Sequence, residues 1–140
     1  MKKVTEEWLK AAKDDLDVIG KIIDDAHLSH IVAFHAQQCV EKVFKAILEE
    51  HDIETPKVHN LITLLGKVES FLRRDVDLGM LQTLDSLYIE ARYPGELGLL
   101  PNGKPTIEEA GEFFGFAQNI YNSIKDFLVR EAKKETCIDG

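Results

Sequence analysis

Residues 33–50 read AFHAQQCVEKVFKAILEE and carry the clearest helical pattern of this chain. Apolar residues recur there at intervals of three and four positions, which is the spacing of one face of an α-helix. These apolar positions are Ala33, Ala36, Val40, Val43, Ile47 and Leu48. The polar positions among them are Gln38, Glu41, Lys42, Lys45 and Glu49. The pattern predicts an amphipathic helix from about His30 to His51, roughly 30 Å long.

The same spacing predicts further helices on both sides of this stretch. Thr5 is the predicted N-cap of a first helix, and a short helix is expected at about 60–72. Another is expected at about 78–91, and Thr106 with Glu109 forms a capping box at the start of the last. No window shows strand alternation bounded by hairpin turns. We therefore predict an all-α protein, a four-helix up-and-down antiparallel bundle with an additional short helix.

The composition is ordinary for one globular domain. The chain has 140 residues, of which 44% are hydrophobic and 30% are charged, and these fractions suit a folded rather than a disordered chain. We assign residues 1–132 to a single helical domain. Residues 133–140 are expected to form a frayed C-terminal tail.

Charge and cysteine content exclude several classes of function. A net charge of −8 repels phosphate backbones, so broad binding to nucleic acid is not expected. No run of about 18 uncharged apolar residues is present, so no membrane span is predicted. The two cysteines, Cys39 and Cys137, form no disulfide framework, and we predict a cytoplasmic protein.

Three segments, taken in order, resemble a known family. They are AFHAQQCVEKVFKAILEE at 33–50, TPKVHNLITLL at 55–65 and LDSLYIEARYP at 84–94. Together they resemble the HEPN domain, the higher eukaryotes and prokaryotes nucleotide-binding domain, over nearly the whole chain. The resemblance implies a helical bundle that often forms a homodimer. It also implies a nucleotide ligand and a minimal nucleotidyltransferase as partner protein, as in toxin–antitoxin pairs.

The resemblance also bears on catalysis. Many HEPN proteins are metal-independent RNases whose active site is an Arg followed, after four to six residues, by a His. After Arg92 this chain reads YPGELGLL, without a His at that spacing. The departure favours a noncatalytic binding module, and no catalytic residue is assigned. The alternative is an RNase toxin with an atypical active site, in which another residue such as His59 replaces the missing histidine.

Arg92 is the first predicted ligand-binding residue, and two interpretations of it stay open. Its guanidinium either satisfies helix-end carbonyls or pairs with Glu90 or Glu96, or it recognises a phosphate or carboxylate through its bidentate fork. Tyr88 lies four residues earlier on the same helical face, and Tyr93 follows directly. The two tyrosines form either an aromatic pocket edge or part of the core or of a dimer contact.

His59 and Lys45 are the other predicted ligand-binding residues. His59 precedes the short helix, where Asn60 can cap and free backbone amides can face an anion. The alternative is an imidazole hydrogen-bonded to a nearby carbonyl. Lys45 lies on the polar side of its helix, where it either adds positive charge to the site or is simply solvated. Glu41, four residues earlier, is expected to form an ordinary helix ion pair with it.

Other polar residues give weaker signals. His35 and Cys39 share a helical face at a four-residue step that can hold zinc, but no paired cysteine motif accompanies them. We predict no metal and no cofactor, and a buried Cys39 thiol that behaves as an apolar side chain. Acidic pairs such as Asp14 with Asp15 are expected on exposed helix surface as solvated charges.

Overall fold

The computed structural model of the chain describes residues 1–72, 75–92 and 103–139, with side chains described except at 91, 92 and 135–139. Its helices are α1 (Lys3–Ile22), α2 (Ser29–Glu50), α3 (Leu61–Val68), α4 (Leu78–Arg92) and α5 (Ile107–Asp139). Short 3₁₀ turns precede α2 at Ala26–Leu28 and follow α3 at Glu69–Phe71. The described ranges contain no strand. The prediction of an all-α bundle of four long helices and one short helix is confirmed.

Helix α2 is the centre of the bundle, because it packs against α1, α3, α4 and α5. Thirteen of its 22 residues are buried, including Phe44, Ile47 and Leu48, which are fully inaccessible. A helix surrounded in this way must also bury some of its polar residues. Each of those needs a hydrogen-bond partner, because an unpaired polar group is costly to bury.

Two predicted helix starts are confirmed in detail. The Asn60 side chain accepts a hydrogen bond from the backbone N–H of Thr63 at 3.0 Å and caps α3. At the start of α5, the Glu109 backbone N–H donates to the Thr106 hydroxyl, and the Thr106 backbone N–H donates to the Glu109 carboxylate, both at 3.0 Å. These reciprocal bonds are the predicted capping box.

The predicted N-cap role of Thr5 is wrong. Helix α1 begins at Lys3, so Thr5 lies inside its first turn and is buried. Its hydroxyl donates to the Glu50 carboxylate at 2.8 Å. The tertiary contact with the end of α2 therefore replaces the local cap that the pattern indicated.

His51 joins the end of α2 to α5. Its ring stacks on Phe71 with centroids 4.3 Å apart. Nδ1 lies 2.9 Å from the Ile47 carbonyl oxygen, and Nε2 lies 3.0 Å from the Glu131 carboxylate. Burial opposes the charged imidazolium, but the two acceptors favour it by more, so the pKa of His51 is raised.

Among the described helices, none combines the length and the apolar character that crossing a bilayer requires.

Candidate functional site

One side of α2 carries a row of ionisable and polar side chains, here called the polar strip. The strip consists of His35, Gln38, Glu41, Lys42 and Lys45; positions 35, 38, 42 and 45 are three or four residues apart, and Glu41 is the neighbour of Lys42. It lies between α1 on one side and the segment that leads into α3 on the other, since its members contact residues from both. Glu41 is buried, and the other four residues are half-buried.

Glu41 is the centre of one cluster in this strip. Its side chain is only 4% exposed, and its two carboxylate oxygens serve different partners. One oxygen lies 3.1 Å from His59 Nδ1, and the other accepts from Lys45 Nζ at 3.0 Å. The ammonium of Lys45 also lies 5.5 Å from the centroid of the Trp8 ring. A single buried carboxylate thus holds an imidazole and an ammonium together.

The environment of Lys45 agrees with only one of the two interpretations given for it. The Glu41–Lys45 ion pair was expected on the helix surface and exists, but the Lys45 side chain is only 11% exposed. The interpretation of Lys45 as a simply solvated lysine is therefore wrong. The ring of Trp8, a residue of α1, covers Lys45, and the spacing of α2 alone does not show this contact.

His59 is the exposed member of the Glu41 cluster. Its side chain is 52% exposed, and its Nδ1 contacts a carboxylate rather than the carbonyl that the alternative interpretation required. Its backbone carbonyl accepts from Gln37 Nε2 at 2.7 Å. Its ring lies beside that of Tyr88, with centroids 5.7 Å apart. Gln37 thus holds the backbone of His59, and Glu41 and Tyr88 hold its ring, while half of the side chain remains exposed to solvent.

Two buried polar residues, Gln37 and Asp85, hold the segment that leads into α3 in place, and neither was predicted to do so. Asp85 of α4 accepts from the Leu61 backbone N–H with both carboxylate oxygens, at 2.9 and 3.1 Å. It also accepts from Gln37 Nε2 at 3.3 Å. Burial raises the pKa of Asp85, and the bonds from Leu61 and Gln37 counteract part of that effect. Gln37 and Asp85 each occupy a position at which the apolar spacing of the helix predicts a core residue. That position was the sequence signal for their burial.

Four rings contact one another in a row between His35 and His59. Tyr88 is 6% exposed and stacks on Phe34, with centroids 5.4 Å apart and an angle of 23° between the planes. Phe34 in turn meets His35 edge-on, with centroids 5.3 Å apart. The row therefore runs His35, Phe34, Tyr88, His59, and its two ends are the imidazoles.

The prediction for Asp15 is wrong, because this residue is buried and not a solvated surface charge. Its carboxylate contacts His35 Nδ1 and Lys42 Nζ, each at 2.8 Å, and its side chain is 8% exposed. The cross-helix contacts with α2 draw it into the α1–α2 interface. Burial, with the nearby Asp15 charge, raises the pKa of the Cys39 thiol to about 12, while Lys42 acts in the opposite direction. That thiol is inert at neutral pH.

Two predicted ligand-binding residues lie outside this description. Arg92 is the last residue of α4, four positions after Tyr88, but its side chain is not among the described ones. Tyr93 lies outside the described residues altogether. The structure therefore brings His59 and Lys45 to Glu41, and it places the Tyr88 ring beside that of His59. Within the described residues, no group of three or more His, Cys, Asp and Glu side chains has the arrangement of a metal site.

The Glu41–His59 pair defines what the site can do chemically. A carboxylate at Nδ1 fixes the ring orientation and directs Nε2 toward an incoming group. A neutral imidazole held in this way offers a hydrogen-bond acceptor at Nε2, and an imidazolium offers a donor. The site can therefore bind a polar or anionic ligand edge, or move a proton at Nε2.

The fold and site define a small helical-bundle protein whose central helix carries an ionisable strip. The chain belongs to the HEPN family, since the sequence model of the HEPN domain matches residues 5–127.

Two similar proteins agree with this assignment. A protein of Methanocaldococcus jannaschii named "Putative toxin MJ1304" is 30% identical over an alignment of 137 positions, which covers 90% of this chain and 89% of that protein. The crystal structure of ST0689, an archaeal HEPN homologue, is also 30% identical, with a TM-score of 0.66. That match covers 90% of this chain and 98% of the other.

Proposed function

We propose that this chain is a noncatalytic HEPN-type binding module of the cytoplasm, active as a homodimer, which engages a nucleotide at the His59 end of the polar strip. The half-exposed His59 ring, held by Glu41 and adjoining Tyr88, is the observation that carries the proposal. A planar ring at the mouth of a polar site suits stacking on a nucleobase, and its Nε2 suits a ribose hydroxyl or a phosphate oxygen.

Arg92 and Tyr93 complete the proposed site. Arg92 is the last residue of α4, about one helical turn after Tyr88, and Tyr93 follows it in the sequence. An arginine supplies a positive charge, and its planar fork suits phosphate. Lys45 has the supporting role, because Glu41 already pairs with it.

The proposed protein partner is a minimal nucleotidyltransferase, as in a toxin–antitoxin pair. The family assignment supports this proposal, and so does the word toxin in the name of the relative from Methanocaldococcus jannaschii. Light scattering of the purified chain, alone and mixed with a candidate nucleotidyltransferase, tests both the homodimer and the complex.

Calorimetric titration with ATP and GTP tests the binding site. Arg92→Ala should weaken nucleotide affinity about tenfold, the scale of one lost charge-assisted contact, while the melting temperature stays nearly unchanged. Arg130→Ala removes an exposed arginine of α5 and should change neither quantity. If Arg92→Ala lowers affinity and melting temperature together, Arg92 is a structural residue and the binding proposal loses its main cation.

A metal-independent RNase is the second candidate function, and the Glu41–His59 pair is the observation that favours it. A carboxylate-oriented imidazole is the usual form of a general acid or base. It would replace the histidine that the segment after Arg92 lacks.

RNA cleavage in buffer containing EDTA separates the two functions. The binding module predicts no cleavage by the purified wild-type chain at neutral pH. Cleavage that is lost in both Arg92→Ala and His59→Ala, but kept in the exposed-site control His27→Ala, would establish the RNase and reverse the ranking.

A further inference from the structure

The Glu41 carboxylate determines which nitrogen of a neutral His59 ring carries the proton. A carboxylate offers only hydrogen-bond acceptors, and one of its oxygens lies 3.1 Å from His59 Nδ1. A neutral imidazole has a single N–H, so a hydrogen bond to this oxygen requires that N–H on Nδ1. Nε2 then carries a lone pair, and the ring presents a hydrogen-bond acceptor at that atom.

Lys45 supplies the charge that balances Glu41. Its ammonium donates to the other carboxylate oxygen at 3.0 Å, so the negative charge is paired within α2. The Glu41 side chain is 4% exposed and the Lys45 side chain is 11% exposed, which leaves a ligand little access to either. The side chain of His59 is 52% exposed. His59 is therefore the member of this cluster that a ligand can reach.

The acceptor at His59 Nε2 is held in a fixed place. The backbone carbonyl of His59 accepts from Gln37 Nε2 at 2.7 Å, and the Tyr88 ring lies beside the His59 ring. Within the described part of the chain, His59 Nε2 has no hydrogen-bond partner. A preorganised acceptor of this kind favours a ligand group that can donate to it.

The direction of the Nε2 lone pair indicates which part of a nucleotide donates. The lone pair lies in the plane of the imidazole, whereas a stacked nucleobase lies above or below that plane. A base stacked on His59 therefore cannot donate to Nε2 through its own edge. Ionised phosphate oxygens only accept hydrogen bonds, so they are not donors either. The 2′- and 3′-hydroxyls of the ribose are the donors that remain.

We propose that His59 Nε2 accepts a hydrogen bond from a ribose hydroxyl, so that the site selects ribonucleotides over nucleotides that lack this hydroxyl. The 2′- and 3′-hydroxyls offer the same chemistry, and deoxy analogues of ATP distinguish them. The proposal rests on the proposed function for nucleotide binding. Glu41 is the positioning residue, because it acts through His59.

Calorimetric titration of the full-length protein at about pH 8.5 with ATP, 2′-deoxy-ATP and 3′-deoxy-ATP tests the contact. The wild type should bind one of the two deoxy analogues about fivefold more weakly than ATP, the scale of one neutral hydrogen bond. His59→Phe keeps a stacking ring without an acceptor, and it should bind all three nucleotides within about twofold of one another. His27→Phe changes an exposed histidine outside the strip and should retain the wild-type preference.

The outcomes distinguish this inference from the function on which it rests. Equal affinity of the wild type for ATP and both analogues overturns the ribose contact and leaves the nucleotide site standing. A preference for ATP that His59→Phe retains also overturns the contact, because another residue then binds the hydroxyl. Failure of ATP to bind overturns the proposed function and the ribose contact together.

The position of the proton can be measured without any nucleotide. In nitrogen-15 NMR spectra of the wild type at about pH 8.5, His59 should carry its proton on Nδ1 and a lone pair on Nε2. Glu41→Gln leaves one oxygen for the Lys45 ammonium and turns an NH2 group toward His59, so the proton should move to Nε2 and the preference for ATP should disappear. A proton on Nε2 in the wild type would overturn the inference, even where ATP binds.

Discussion

Replacing Asp85 by Ala should destabilise the protein more than any surface acid does. The change removes both carboxylate oxygens that accept from the buried Leu61 backbone N–H, and one of the two acceptors of Gln37 Nε2 among the described residues. An unsatisfied buried donor costs roughly 1–3 kcal/mol, and Gln37 keeps its bond to the His59 carbonyl. We expect a loss of about 2–3 kcal/mol, or roughly 6–10 °C in melting temperature for a chain of this size. Urea unfolding followed by circular dichroism measures the loss.

Two matched variants show whether the lost acceptor is the cause. Asp85→Asn keeps an oxygen for the Leu61 N–H and removes a carboxylate whose burial raises its pKa, so it should lose less than about 1 kcal/mol. Asp14→Ala removes an exposed acid from α1 and should change stability by about 0.5 kcal/mol or less. Equal stability of Asp85→Ala and Asp85→Asn would refute the reasoning.

Three further predictions concern stability and reactivity. The raised pKa of His51 means that its bond to Glu131 stabilises the fold fully below about pH 6.5 and loses this effect as pH rises through the folded-state pKa. His51→Asn should therefore lose more unfolding free energy at about pH 5.5 than at pH 8.5, and an equal loss at both would contradict this. Cys39, with a pKa of about 12 and no exposure, should react with iodoacetamide only after unfolding, as peptide mass spectrometry can show. Thr106→Ala should cost about 1 kcal/mol in urea unfolding by breaking the capping box with Glu109, and Thr106→Ser should restore at least half of it.

Local patterns predicted the helices because a helix depends on near neighbours. The spacing in residues 33–50 predicted α2 to within one residue at each end. The capping box at Thr106 was also predictable, since its two partners are three positions apart. The predicted N-cap role of Thr5 was wrong because the hydrogen-bond partner of its hydroxyl is Glu50, a residue far along the chain.

The candidate site was predictable only in part. His59 and Lys45 do contact Glu41, and Tyr88 adjoins His59, whereas the burial of the Lys45 side chain was not foreseen. The roles of Gln37 and Asp85 were not predicted, because the two residues are 48 positions apart and no local rule joins them. Both residues stand at positions where the three-and-four spacing of their helices predicts an apolar core residue, and this could have indicated their burial.

An all-α bundle follows from the amino-acid pattern alone, because apolar residues at intervals of three and four fix which face of each helix is buried. Which charges are buried, and how they pair, depends on how the helices pack against one another. Asp15 became a bridge between His35 and Lys42 when α1 packed on α2, and Glu41 became a bridge to His59 when the segment before α3 crossed α2. Burial and pairing depend on distances between helices, which chain spacing does not contain.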